Sequence, residues 1–128
     1  MRLIRAIKNG YYWTCALQTS ARDNHQKAFN LLDKVTYRDY EFWIFRAFLL
    51  FALCRDEEAI IASQKAYELL ESDKISIEDK EYLLAYLDRI KSTALGIDLD
   101  VSDVNLNNVS EHHLSNFPLR SHPKWKNI

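Results

Sequence analysis

Tyr-Glu-Phe-Trp-Ile-Phe-Arg-Ala-Phe-Leu-Leu-Phe-Ala-Leu-Cys, residues 40–54, is the most apolar stretch of an otherwise polar chain. In a helix, only Glu41 and Arg46 would interrupt its apolar surface. A helix that is apolar on every side is buried on every side, spans a membrane, or offers its free face to a partner. This stretch contains an arginine and is shorter than the ~20 residues that cross a bilayer. It therefore predicts no membrane span and favours a module that binds another protein.

Length and composition indicate one helical domain. The chain has 128 residues, enough to bury a core without disulfides. Both prolines lie in the last part of the chain, so residues 1–96 contain almost no helix breakers. Cys15 and Cys54 lie in apolar helical patterns, where a free thiol packs as a small hydrophobic group. With no signal-peptide pattern at the start, the two thiols predict a cytoplasmic protein.

Apolar residues recur every three or four positions, which predicts about five helices. The first covers about residues 2–22, and the third runs from about Asp39 to Arg55. The predicted N-caps are Asp23 or Asn24 for the second helix, Asp56 for the fourth and Ser76, with Asp79 in a weak capping box, for the fifth. Gly96 suits the end of the fifth helix. The periodic pattern predicts a helical domain over residues 1–96 and a polar tail over 97–128, loosely docked or disordered.

One segment of the fourth helix resembles a known repeat. Residues 58–69, with Glu58-Ala59-Ile60 at the start, resemble the second helix of a tetratricopeptide repeat. In that register Trp43 falls on the aromatic of the first helix and Ala47 on its small residue. The preceding pair fits less well, with Tyr12, Ala16, Ala28 and Leu32 on the corresponding sites.

The resemblance covers about residues 9–71 and implies an all-α fold of antiparallel helical hairpins, stacked as a short right-handed solenoid. The two registers lie 31 residues apart instead of the usual 34 or so, and Cys54 replaces the turn glycine. Fewer than three full repeats make an isolated solenoid marginal. This favours a protein partner or a homodimer.

The resemblance also implies a binding groove lined by the first helix of each pair. Carried over, the groove residues are Trp13, Leu17 and Ser20, then Ile44, Phe48, Phe51 and Ala52. Because they are mainly apolar and lack a cationic clamp for a carboxylate, the expected ligand is an apolar helix or segment of another protein. The alternative is that the fifth helix or the tail fills the groove, with Phe117, Leu119 and Trp125 as the plugging residues.

The uneven distribution of charge suggests a second kind of interface. The chain carries a net charge of −1, but residues 1–38 have a net charge of +5 and residues 39–91 a net charge of −5. Ordinary solvated helix faces would explain this asymmetry. An acidic interface that inhibits a basic toxin, as in immunity proteins, is the alternative function. Its residues would be Asp56, Glu57, Glu58, Glu68, Glu71 and Asp73.

Other functional classes find little support. With two glycines the chain has no glycine-rich phosphate loop, and neither cysteine lies in a Cys-x-x-Cys pair. His112 and His113 are interpreted as part of a solvated tail. The sequence therefore predicts neither an enzyme nor a cofactor or metal site. A slightly acidic chain also lacks the basic face that nucleic acids require.

The start of the chain alternates basic and apolar residues. The apolar ones are Leu3, Ile4 and Ile7, and the basic ones are Arg2, Arg5 and Lys8. This pattern could dock on an anionic membrane surface. The preferred interpretation is that the apolar residues pack against the second helix.

Overall fold

The computed structural model describes residues 2–97 and 104–119, and within them every regular element is a helix. The six helices are α1 (Arg2–Ala21), α2 (His25–Leu32), α3 (Tyr40–Ala52), α4 (Asp56–Ser72), α5 (Ile77–Ala94) and α6 (Glu111–Asn116). The all-α prediction is confirmed. The predicted number of five helices is corrected to six, because the tail expected to be irregular contains α6.

Side-chain caps start three of the helices. Asn24, Asp39 and Ser76 each accept a hydrogen bond from the backbone amide three residues further on. The prediction that Asp56 caps α4 is wrong, since Arg55 holds that position and makes no capping bond with its side chain. Asp56 instead lies in the first helical turn, where its negative charge is favourable at the positive end of the helix dipole.

Three helices end in the same backbone motif, although only one of them ends with glycine. After α3, the Arg55 amide donates to Leu50 O over 2.9 Å and the Cys54 amide donates to Phe51 O over 3.0 Å. This paired bonding requires a left-handed residue after the helix. Cys54 adopts a φ of 62°, Asp23 a φ of 64° after α1, and Gly96 a φ of 76° after α5. Gly96 therefore ends α5 as the sequence predicts.

The core is centred on α3, which packs most extensively against α4 and also contacts α2 and α5. Neighbours on several sides explain why α3 is apolar almost all round. Ala47 of α3 and Ala59 and Ala66 of α4 are completely buried. Small buried side chains of this kind allow two helices to approach closely.

Candidate functional site

The predicted groove residues on α3 lie inside the core. Ile44, Phe48 and Phe51 are buried, whereas Trp13 and Leu17 of α1 are partly buried. The expectation that α3 lines an open apolar groove is therefore corrected, because its neighbouring helices and the tail cover it. Whether any of these five residues meets a partner stays a prediction.

The described part of the tail, residues 104–119, packs on the helical domain. Phe117 and Leu119 are buried, and the Phe117 ring lies 5.6 Å from that of Tyr86. The Tyr82 hydroxyl donates to Phe117 O over 2.6 Å and accepts from the Leu119 amide over 3.0 Å, while Arg89 Nη1 donates to Leu119 O over 2.8 Å. A loosely docked or disordered state does not describe this segment. Two of the three predicted plugging residues are thus buried, and Trp125 lies outside the described residues.

A cleft remains where the tail segment meets α1. It has a volume of about 260 Å³ and is lined by residues of α1, α3, α5 and the tail. Leu17, Phe48, Tyr86 and Pro118 are among its walls. The tail therefore leaves a cavity between itself, α1 and α5.

The first half of α1 carries an exposed apolar surface, here called the α1 stripe. Its members and their exposed fractions are Leu3 74%, Ile4 53%, Ile7 63% and Tyr11 64%. The interpretation that the residues at 3, 4 and 7 pack against the second helix is wrong. The physical reason is length, because α2 has 8 residues and cannot cover an α1 of 20 residues.

The α1 stripe faces away from the core. At about 100° per residue, Ile7 lies about 180° around the helix from the buried Ala16. On the inner side of this half, Asn9 connects α1 to the loop after α2. Its Nδ2 donates a hydrogen bond to the Thr36 hydroxyl over 3.0 Å, and its Oδ1 accepts one from the Thr36 amide over 3.1 Å. The orientation of α1 is thus fixed without any use of its apolar outer face.

A polar cluster joins α3, α5 and α6. His112 Nε2 lies 2.5 Å and His113 Nε2 lies 3.4 Å from Glu41 Oε1. On the other side of the His113 ring, Nδ1 faces Asp79 Oδ2 at 3.4 Å, and the Tyr40 hydroxyl lies 3.2 Å from His113 Nε2. The placement of His113 in a solvated tail is therefore corrected, because its side chain is buried among these groups.

Hydrogen bonds and charge shift the ionisation of this cluster. The bond to Glu41 and the nearby carboxylates raise the pKa of His113 above its ordinary value, although burial opposes the rise. Burial alone would raise the pKa of Glu41, but the bonds and charges of His113 and His112 outweigh it and lower that pKa. One signal for the cluster was present in the sequence, since a carboxylate within an apolar helix needs a polar partner when it is buried.

The predicted acidic interface lies at the surface. Its residues, Asp56, Glu57, Glu58, Glu68, Glu71 and Asp73, are all exposed. Glu58 is bound to Arg55, with Oε2 and Nη2 2.6 Å apart. Glu57 and Glu68 are 11 residues apart and so lie on nearly the same side of α4.

Among the described helices, none is both long and apolar enough to cross a membrane. Comparison of the chain with protein-family models, with curated proteins and with solved structures gave no match. The surfaces of the molecule are therefore the guide to its function.

Proposed function

We propose that this chain is a protein–protein interaction module, an adaptor or small chaperone, that binds an apolar helix of a partner protein. The α1 stripe is the observation that carries this proposal. Four large apolar side chains, each more than half exposed, lie together on one helix face. Contiguous apolar surface of this kind on a soluble domain is typical of an interaction site.

The surroundings of the stripe indicate the chemistry of the partner. Arg5 and Lys8 are exposed next to it, and residues 1–38 carry a net charge of +5. A partner helix with an apolar face and acidic flanks would bury the stripe and pair with these cations. The proposed partner is thus an amphipathic acidic helix. This is a more specific class of ligand than the apolar helix or segment expected from the sequence.

The proposal includes a tetratricopeptide-like arrangement of the helices. Its support is that Ala47, Ala59 and Ala66, at the positions where the resemblance places small residues, are all completely buried. The most extensive contact between helices joins α3 and α4, the pair that the resemblance fits best. In this proposal the tail segment covers the inner surface and the partner binds the outer surface of α1. Cytoplasmic location remains part of the proposal, since a reducing compartment suits the two free thiols.

Two matched substitutions test the proposal. Ile7→Glu places a charge in the stripe, and Ile61→Glu places the same charge on α4, where isoleucine is 69% exposed. Neither side chain is part of the core, so both variants should melt like the wild type. Tagged wild type and Ile61→Glu should capture the same stoichiometric partner from the native cells, and Ile7→Glu should lose it. The recovered partner should contain an amphipathic acidic helix, and a synthetic peptide of that helix should bind the wild type directly.

Retention of the partner by Ile7→Glu would contradict the proposal. A second outcome is recovery of the bait alone, with light scattering that reports a dimer for the wild type and a monomer for Ile7→Glu. The stripe would then bind a second copy of this chain and not a different protein. Both results are distinguishable from a failure to fold, which the melting curves report separately.

The alternative function is inhibition of a basic toxin through the acidic surface. The observation that favours it is the exposure of all six acidic residues. Binding through this surface should weaken steeply as salt rises, whereas binding through the α1 stripe should lose only the small contribution of the pairs made by Arg5 and Lys8 and keep its apolar contact. Capture at low and at high salt therefore separates the two functions.

A further inference from the structure

We propose that Glu41, His112 and His113 form a binding site for a divalent transition-metal ion, with Zn²⁺ as the best fit. Each of the three residues offers one donor atom, and these atoms lie within 4.8 Å of one another. Two imidazoles and one carboxylate are a ligand set that Zn²⁺ accepts, with a fourth position left for water or another ligand.

One of the distances between the donors matches a tetrahedral site, and a second is shorter. Bonds of 2.0–2.1 Å would separate two donors by about 3.3 Å. Glu41 Oε1 and His113 Nε2 already lie 3.4 Å apart. Glu41 Oε1 and His112 Nε2 lie at the hydrogen-bond distance of 2.5 Å, which would widen when a metal ion replaces the shared proton. His112 is mainly exposed, so its ring has room for this movement.

An orphaned buried atom gives independent support. Within the described residues, His113 Nδ1 is buried and makes no hydrogen bond, yet it faces Asp79 Oδ2 at 3.4 Å. When Nε2 of a histidine binds a metal ion, Nδ1 carries the proton and donates it to a carboxylate, a backbone carbonyl or water. Asp79 is oriented for this role, because its Oδ1 accepts from the Ser110 amide over 2.6 Å. A metal ion on Nε2 would fix the proton on Nδ1, the nitrogen that faces Asp79.

The site has a structural consequence. Glu41 lies in the first turn of α3, and both histidines belong to α6. A bound ion would therefore connect the tail segment to the helical domain at the end of α6 opposite Phe117. The tail would be held on both sides of α6, by the ion near its start and by Tyr82 and Arg89 after its end.

The test uses the full chain, stripped with a chelator and titrated with Zn²⁺ in a calorimeter at about pH 8, where histidine is available as a ligand. Wild type should bind one ion and melt at a higher temperature with Zn²⁺ than with chelator. His112→Ala and Glu41→Gln should lose this binding. Asp79→Asn should weaken it by roughly 10–100-fold, as expected for a group that orients a ligand. His25→Gln is the matched control and should bind like the wild type.

A second readout separates loss of the site from loss of the fold. Co²⁺ in a tetrahedral site absorbs visible light strongly. This absorption should appear with the wild type, with His25→Gln and, at higher Co²⁺ concentration, with Asp79→Asn, but not with His112→Ala or Glu41→Gln. Melting in chelator shows whether each variant folds. The proposal is overturned if the wild type shows no saturable binding, or if folded His112→Ala binds Zn²⁺ as tightly as the wild type, since other donors would then hold the ion.

Discussion

At the residue scale, two helices end with a left-handed residue that is not glycine, which strains the backbone. Cys54 and Asp23 both adopt left-handed φ values. Aspartate tolerates this conformation through local hydrogen bonds, but cysteine has no such compensation. The sequence resemblance places a glycine of the repeat family at position 54, which is where the backbone favours one.

Cys54→Gly is therefore expected to stabilise the protein. Removing the side chain relieves a left-handed strain of roughly 1–2 kcal/mol, and the greater freedom of glycine in the unfolded chain offsets part of this gain. The expected increase in the free energy of unfolding is about 0.5–1 kcal/mol. Urea denaturation measures it.

The control for this prediction is Cys54→Ala, which removes the thiol but keeps Cβ. It should leave the free energy of unfolding close to that of the wild type. An equal gain in both variants would show that the sulfur, and not the backbone conformation, is the source of the strain.

At the element scale, the two halves of α1 differ in how much they pack. Its second half contributes the buried Ala16 and Ser20, whereas its first half carries the α1 stripe and contacts the loop after α2 through Asn9. Gly10 lies between the two halves. A glycine in the middle of a helix lowers helix stability, so Gly10 is a weak point where α1 has little tertiary support.

Gly10→Ala should stabilise α1. A Cβ at this position would have no neighbour within 4 Å, so the substitution adds helix propensity without a clash. The expected gain is about 0.5–1 kcal/mol. Hydrogen exchange should show it as slower exchange of the amides in the first half of α1.

The matched control is Gly96→Ala at the end of α5. A Cβ there would also meet nothing within 4 Å, but the φ of 76° disfavours alanine. This variant should be less stable than the wild type. If both alanine variants shifted stability in the same direction, backbone conformation would not explain either effect.

Most of the helices could be predicted from the sequence. Periodicity located α1 to α5, and the predicted capping residues Asn24 and Ser76 marked the starts of α2 and α5. α6 was not predicted, because 6 residues are too few for a periodic pattern. The available signal was the spacing of His113 and Phe117 by four residues. The burial of Phe48 and the exposure of Ile7 depend on which helices are long enough to cover others. That is a property of the tertiary structure.

At the scale of the whole molecule, the tail segment is part of the core. Phe117 and Leu119 are buried against α5, and the hydroxyl of Tyr82 holds the backbone of both residues. Full burial of each of these two side chains contributes about 1.5–3 kcal/mol before the entropy of ordering the segment is subtracted. The segment therefore covers apolar surface that α3 and α5 would otherwise expose.

Deleting residues 104–128 is expected to lower the melting temperature while α1 to α5 keep most of their helical signal. Exposure of Tyr82 and Tyr86 should increase the binding of a dye that fluoresces on apolar surfaces. The control is deletion of residues 120–128, which keeps every contact described for the tail, so the difference in melting temperature between the two deletions measures those contacts. Tyr82→Phe in the full chain isolates the hydrogen bonds, because it leaves buried backbone groups of Phe117 and Leu119 without their partner, at a cost of about 1–3 kcal/mol. Its Leu119 amide should exchange faster with solvent. A chain without residues 104–128 that melts like the full protein would show that the tail is only a cover, and the core would then be complete with five helices.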